Sequence, residues 1–331
     1  MVRTTTSRIL VLGAISVLTA CGGGGSSGGG SSGGGTPTLP PDNVVLKLDP
    51  GTFSEQRAPL NGVPEFDGVL GVYSGAEQTY LSIDEIREAA LELDEAIGQS
   101  GNTVTLRCDN TGAGTMAFTL NRETQTDFTL EFRNCQLTTS ELGAIILDGT
   151  YTYVNEITET SSTREVDGFQ IVDLTGTIAS GGESIAMQGS DAWETSAPLQ
   201  AGTAPRVEKY TTDALEFLRG SDYQAITDAV TTLASEAGIT EVTINSRLIG
   251  SAMNGYVDIS TETAIKRPTG GGCPGEGVVR IIGEPETSGV DIKYGTNMAL
   301  PVTDGTEATA TIIESAVVEE YDALECDTLI F

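Results

Sequence analysis

The chain has 331 residues, with 47 acidic against 17 basic side chains, a formal net charge of −30 and no histidine. Four lysines and thirteen arginines in so acidic a chain argue against nucleic acid binding, because affinity for a phosphate backbone comes mainly from Lys and Arg. The absence of histidine removes the commonest general base and metal ligand near neutral pH, so Ser-His-Asp and Cys-His catalysis and imidazole-bound zinc are excluded within this chain.

The N-terminus carries Arg3 and Arg8, a ten-residue apolar stretch over residues 9–18, and then Leu18-Thr19-Ala20-Cys21. Ten apolar residues are too few to span a bilayer, and the basic start with small residues before a cleavage point reads as a secretory signal. The run Leu18-Thr19-Ala20-Cys21 resembles the lipobox of bacterial lipoproteins. That resemblance implies cleavage of residues 1–20 and acylation of Cys21, by palmitate-class chains, on its thiol and new amino group. Gly22 in place of Asp implies sorting to the outer membrane under the rule for enteric lipoproteins, with the facing side left open. Residues 22–35 are only Gly and Ser, which bury no apolar area and leave the backbone unrestricted. Such a tether has a typical end-to-end distance of about 20 Å. Residues 21–43 therefore form a lipidated tether, and residues 44–331 an extracytoplasmic domain, with the softest internal boundary at 195–205.

Ser82-Ile83-Asp84-Glu85 matches a capping box, and Ile83, Ile86, Ala90, Leu93 and Ile97 form an apolar stripe before Gly98, so a helix is predicted over 83–97. Period-two alternation rich in Thr, Val, Ile and aromatics then predicts a meander over 103–108, 114–120 and 127–133. Further strands are expected at 144–154, 169–178, 206–212, 240–248, 255–261, 278–283, 289–294 and 307–313. A second helix is expected near 222–236, where Tyr223, Ile226, Val230 and Leu233 recur at helical spacing. The fold class that follows is mainly β: an antiparallel meander or sandwich, or a curved half-barrel, with a helix on one face.

Five cysteines leave four once Cys21 is assigned to lipid, and an exported chain meets an oxidising compartment. Of three pairings, Cys108 with Cys135 and Cys273 with Cys326 are favoured, since each joins residues within one half of the chain. The chain-entropy model gives them about 3.5 and 4 kcal/mol. The span 250–261 with Pro268 and 277–283, together with Cys108 and Cys135 at the ends of Thr-rich strands, is similar to uncharacterised β-rich envelope lipoproteins of Gram-negative bacteria. That likeness implies no activity, because none is assigned to the group.

The candidate chemical motifs are weak. Gly270-Gly271-Gly272-Cys273-Pro274-Gly275 fits the letters of a dinucleotide fingerprint but precedes a strand-like run rather than a helix. Gly182-Glu183-Ser184-Ile185-Ala186 echoes a nucleophile elbow with no histidine to activate the serine. Glu319, Glu320, Asp322, Glu325 and Asp327 offer carboxylate pairs that composition alone supplies. Asp109-Asn110-Thr111-Gly112 reads as a turn before a calcium ligand, and neither metal nor cofactor is expected. Trp193 with Tyr151, Tyr153, Tyr210 and Tyr223 is a candidate aromatic platform, with core packing the plainer reading. The expectation is a non-enzymatic, lipid-anchored envelope protein that binds an unidentified protein, glycan or lipid. Alternatives are a half-barrel carrier of a hydrophobic ligand, with the helix as lid, and a carboxylate-dependent polysaccharide hydrolase.

Overall fold

A computed structural model describes residues 48, 51–97, 103–108, 114–120, 127–200, 204–269, 274–284, 289–294, 308–314 and 317–324. Cys21, Cys273, Cys326, Asp109, Glu325 and Asp327 lie outside these residues. Among the described residues the chain forms one α-helix, α1 (Val63–Ile97), followed by fourteen strands. They are β1 (Thr103–Arg107), β2 (Thr115–Leu120), β3 (Phe128–Thr139), β4 (Gly143–Glu159), β5 (Thr163–Ile178), β6 (Glu183–Pro198) and β7 (Arg206–Arg219). The second half adds β8 (Asp222–Glu236), β9 (Ile239–Gly250), β10 (Gly255–Pro268), β11 (Glu276–Ile282), β12 (Gly289–Lys293), β13 (Ala308–Glu314) and β14 (Val317–Leu324). Every strand pairs antiparallel with the next in sequence, so the expected meander extends through a single sheet. Short hairpin turns and Thr-rich alternation supply what such pairing needs, because register and face are set by local pattern. The soft boundary expected at 195–205 begins inside β6, which runs to Pro198 and pairs with β7 from Ser196↔Val207 to Ile185↔Arg219.

Helix α1 covers one face of the sheet and crosses its strands. Val72 meets Gly250 of β9, Gly75 meets Gln224 of β8, Tyr80 reaches Asp191 of β6, and Arg87 lies over Tyr153 of β4. Its buried residues Phe66, Val69, Tyr73, Ala76, Tyr80 and Ile83 recur every three or four positions, while Asp67, Gly71, Ser74 and Gln78 mark the exposed side. The helix therefore starts nineteen residues before the capping box at Ser82. Pro64 occupies the first turn, where its missing N–H leaves no bond unmade. Ser82 is mid-helix, and its hydroxyl donates to the carbonyl of Gln78 at 2.9 Å instead of capping an end.

The second helix expected at 222–236 is strand β8. Its apparent helical period has a specific cause. Asp228 (φ 51°) forms a bulge where the β8–β9 register shifts, and two faces of this strand are covered. Tyr223 and Ala225 pack with Ile249 under Leu48 and Phe53 on the far face, whereas Ile226, Ala229 and Leu233 join the main core. Residues from both faces thus add up to a spacing of three or four. Strand β6, absent from the expected set, is broken in sequence by Gly189, Ser190 and Ala192, yet it pairs with β5 over sixteen positions.

The N-terminal segment joins the two faces. Leu48 donates its N–H to the Glu216 carboxylate at 3.2 Å on the far face. A short 3-10 helix (Gly51–Ser54) follows, and the chain then bridges Arg57↔Tyr256 and Pro59↔Glu284 before entering α1. Elsewhere along β5 the far face is largely polar, with Ile171 exposed among its charges. Glu165, Asp167, Asp173 and Thr175 are exposed, alternating with buried Val166, Val172 and Leu174. Charges at such density suit water, since a lipid-facing strand tolerates them poorly. Cys108 and Cys135 are bonded, joining the end of β1 to β3 across 27 residues.

Candidate functional site

Two arrangements on the covered face are chemically distinct from ordinary packing. The first is a cleft of about 250 Å³ between α1 and the turn ends of β6, β7 and β8. Ile185, Met187 and Phe217 form its apolar floor, and Gln78 and Thr79 from the helix face Gln224 from β8 across it. The Thr79 hydroxyl is spent on the carbonyl of Gly75 at 3.0 Å. The side-chain amides of Gln78 and Gln224 line the cleft and present neutral donors and acceptors beside an apolar base. At the entrance Arg219 donates to Glu183 at 2.9 Å. Such a cleft recognises a ligand with an apolar body and neutral hydrogen-bonding groups, though it is small beside typical ligand pockets.

The second arrangement is a sealed polar cluster further along β6. The Tyr80 hydroxyl donates to Asp191 Oδ2 at 3.4 Å, the Gln170 amide reaches the Tyr80 oxygen at 3.5 Å, and Tyr151 donates to Gln170 Oε1 at 2.7 Å. Asp84 and Arg87, one helical turn apart, approach to 3.0 Å, a charge contact without the alignment of a hydrogen bond. The Arg87 guanidinium lies 5.5 Å from the centre of the Tyr153 ring. Burial pushes the Asp191 carboxyl up to about 7, with Asp84 adding to the rise and Gln170, Tyr80 and Arg87 opposing it. Burial also raises Asp84, against the pull of Arg87. For Arg87 itself burial acts downward, but Asp84 and the ring hydroxyls outweigh it and the guanidinium stays charged. Asp191 thus has the proton affinity of a general acid, but at 3 % exposure it lacks access to a substrate. Its Oδ1 and the hydroxyl of Thr212, its register partner on β7, are buried without a hydrogen-bond partner.

The sequence-stated candidates are dispersed by the fold. Trp193, Tyr151, Tyr210 and Tyr223 are buried, so they are core and not a binding platform. Trp193 lies tilted against Tyr153 with centroids 5.2 Å apart, and the row continues through Phe128 to Phe118. This row skips β5 because Gly168 has no side chain: the indole lies where its Cβ would project. Gly182 (φ 68°) forms the turn between β5 and β6, a strand–turn–strand setting unlike a nucleophile elbow. Strand β11 begins at Glu276, just past the glycine-rich run, where a dinucleotide site needs a helix. Glu319, Glu320 and Asp322 lie on β14. Asp191 and Tyr80 were missed, although an acid at an inward position between Met187 and Trp193 is a readable anomaly. No family model, curated protein or solved structure matches the chain.

Proposed function

We propose that this chain is a lipid-anchored protein of the cell envelope, held at the outer membrane through Cys21, whose β domain is a non-catalytic binding module. The observation that carries the binding reading is the cleft beside Gln78 and Gln224, where two amides stand beside an apolar floor. The ligand it fits is neutral and amphipathic, as in a short peptide segment or a glycan. A carrier of lipid chains would need a continuous apolar cavity of several hundred Å³. The cleft is about 250 Å³ and walled partly by amides, which favours recognition over carriage.

The anchor and the module are tested separately. Metabolic labelling with a palmitate analogue should mark the wild-type chain and fail for Cys21→Ser, whose signal should also remain uncleaved. A processed, membrane-bound Cys21→Ser protein overturns the anchor. For the module, a photo-crosslinking residue at Gln78 in cells should trap one defined species, and the same residue at exposed Asp173 should not. Filling the floor by Met187→Trp should abolish the adduct while the fold is retained. Equal trapping at both positions overturns the cleft as the site.

A further inference from the structure

We propose that the covered face carries a second site, independent of the cleft, in which Arg267 binds a phosphate group. At the ends of β7 to β10 remote from the cleft, pairing places Arg206 opposite Ser235, Ser235 opposite Thr240, and Thr240 opposite Arg267. The Ser235 and Thr240 hydroxyls lie 2.8 Å apart, and Thr240 and Thr269 lie 3.0 Å apart, so a chain of hydroxyls shares the register positions beside Arg267.

Arg267 is only 6 % exposed. Arg57, Arg87, Arg206, Arg247 and Arg280 each hold a carboxylate within 3.0 Å. Arg267 has none within 4.0 Å among the described residues, in a chain with 47 acids. The acid that acts on it, Glu208, is engaged by Arg206 at 2.8 Å and by the Tyr210 hydroxyl at 2.6 Å. Burial accordingly pulls the Arg267 guanidinium below its ordinary proton affinity, with Glu208 offsetting only part of the effect. A desolvated charge without a partner is destabilising, and it persists most simply where a ligand supplies the opposite charge. The planar fork of arginine matches two oxygens of an oxyanion. Hydroxyls and the half-exposed Arg206 provide the further donors that a tetrahedral phosphate accepts and a planar carboxylate does not need.

The test is calorimetric titration of inorganic phosphate into the full lipidated protein in neutral detergent at low ionic strength. Wild type should bind saturably, Arg267→Gln should bind at least about tenfold more weakly, and the exposed control Arg133→Gln should match wild type. Adding phosphatidylglycerol to the micelles separates the sources: competition with phosphate assigns a lipid headgroup, and its absence assigns free phosphate. No saturable binding by wild type, or equal binding by Arg267→Gln, overturns the proposal. Arg267→Met guards against a purely structural role. It should melt at or above wild type in phosphate-free buffer, since an unpaired buried charge is replaced by apolar volume, and should gain nothing from phosphate. A lower melting temperature for Arg267→Met in phosphate-free buffer also overturns the proposal.

Discussion

Asp191 is the residue whose environment departs furthest from what a strand residue ordinarily meets. Burial disfavours its charged form and pushes the carboxyl up from the ordinary 3.8 to about 7 in the folded chain. Below about pH 4 both states hold the proton. Between about pH 4 and 7 only the folded state holds it, so stability falls as pH rises through that window. The loss is complete above the folded value, at up to roughly 4 kcal/mol. Asp191→Asn should remove this slope: chemical denaturation should show near-equal stability for both proteins at pH 4 and a more stable variant at pH 8. The same slope in both proteins would assign the pH dependence to other acids. Gly168 offers a second residue-scale test, because Trp193 is the sole tryptophan and its indole occupies the space above that glycine. Gly168→Val should displace the ring, red-shift the emission and lower stability by about 1 to 3 kcal/mol through overpacking. An unshifted spectrum would mean that the ring does not depend on the gap.

At the scale of elements, α1 is tied to the sheet by close approach at one end and by polar contacts at the other. Val72 sits against Gly250 of β9, and any side chain at position 250 meets it. Gly250→Val favours the strand by intrinsic preference, so a loss of stability of about 1 to 3 kcal/mol would report the helix contact alone. Hydrogen exchange should show the loss in residues 66–76 first, whereas uniform loosening would point to the sheet. The three glycines inside the first half of α1, Gly68, Gly71 and Gly75, explain why its start was illegible in sequence. Each lowers helix propensity by about 1 kcal/mol, and the compensation at Gly68 and Gly75 comes from partners far along the chain: Met253 and Gln224. The second half of the helix was legible because its stripe is local and unbroken. Strand β8 was misread for the opposite reason, since its pattern is regular but sums two covered faces across a bulge. Strands β2 to β5 were placed correctly, though β3 to β5 run five or six residues beyond their expected bounds, because one face is buried and the other more exposed.

For the whole molecule, charge and covalent closure dominate. A net charge of −30 makes the folded chain self-repelling, so adding salt from low ionic strength should raise the melting temperature of the wild type. Salt-independent melting would mean that the charges are already paired. Replacing Cys108 and Cys135 together by Ala should cost about 3.5 kcal/mol for a 27-residue loop, measured by denaturant unfolding. The sequence by itself determined the strand-rich class, the meander order in its first strands and the second half of the helix, because each follows from local period; it left three cysteine pairings open, and the fold brings Cys108 and Cys135 together. It also shows a Gly/Ser run at 22–35 and a Leu18–Cys21 run that resembles a lipobox, both read residue by residue. Only the tertiary structure decided that α1 begins at Val63, that β8 has both faces covered, and that Asp191 and Arg267 are desolvated. Burial is a property of what packs against a residue from hundreds of positions away, and no local pattern carries that information.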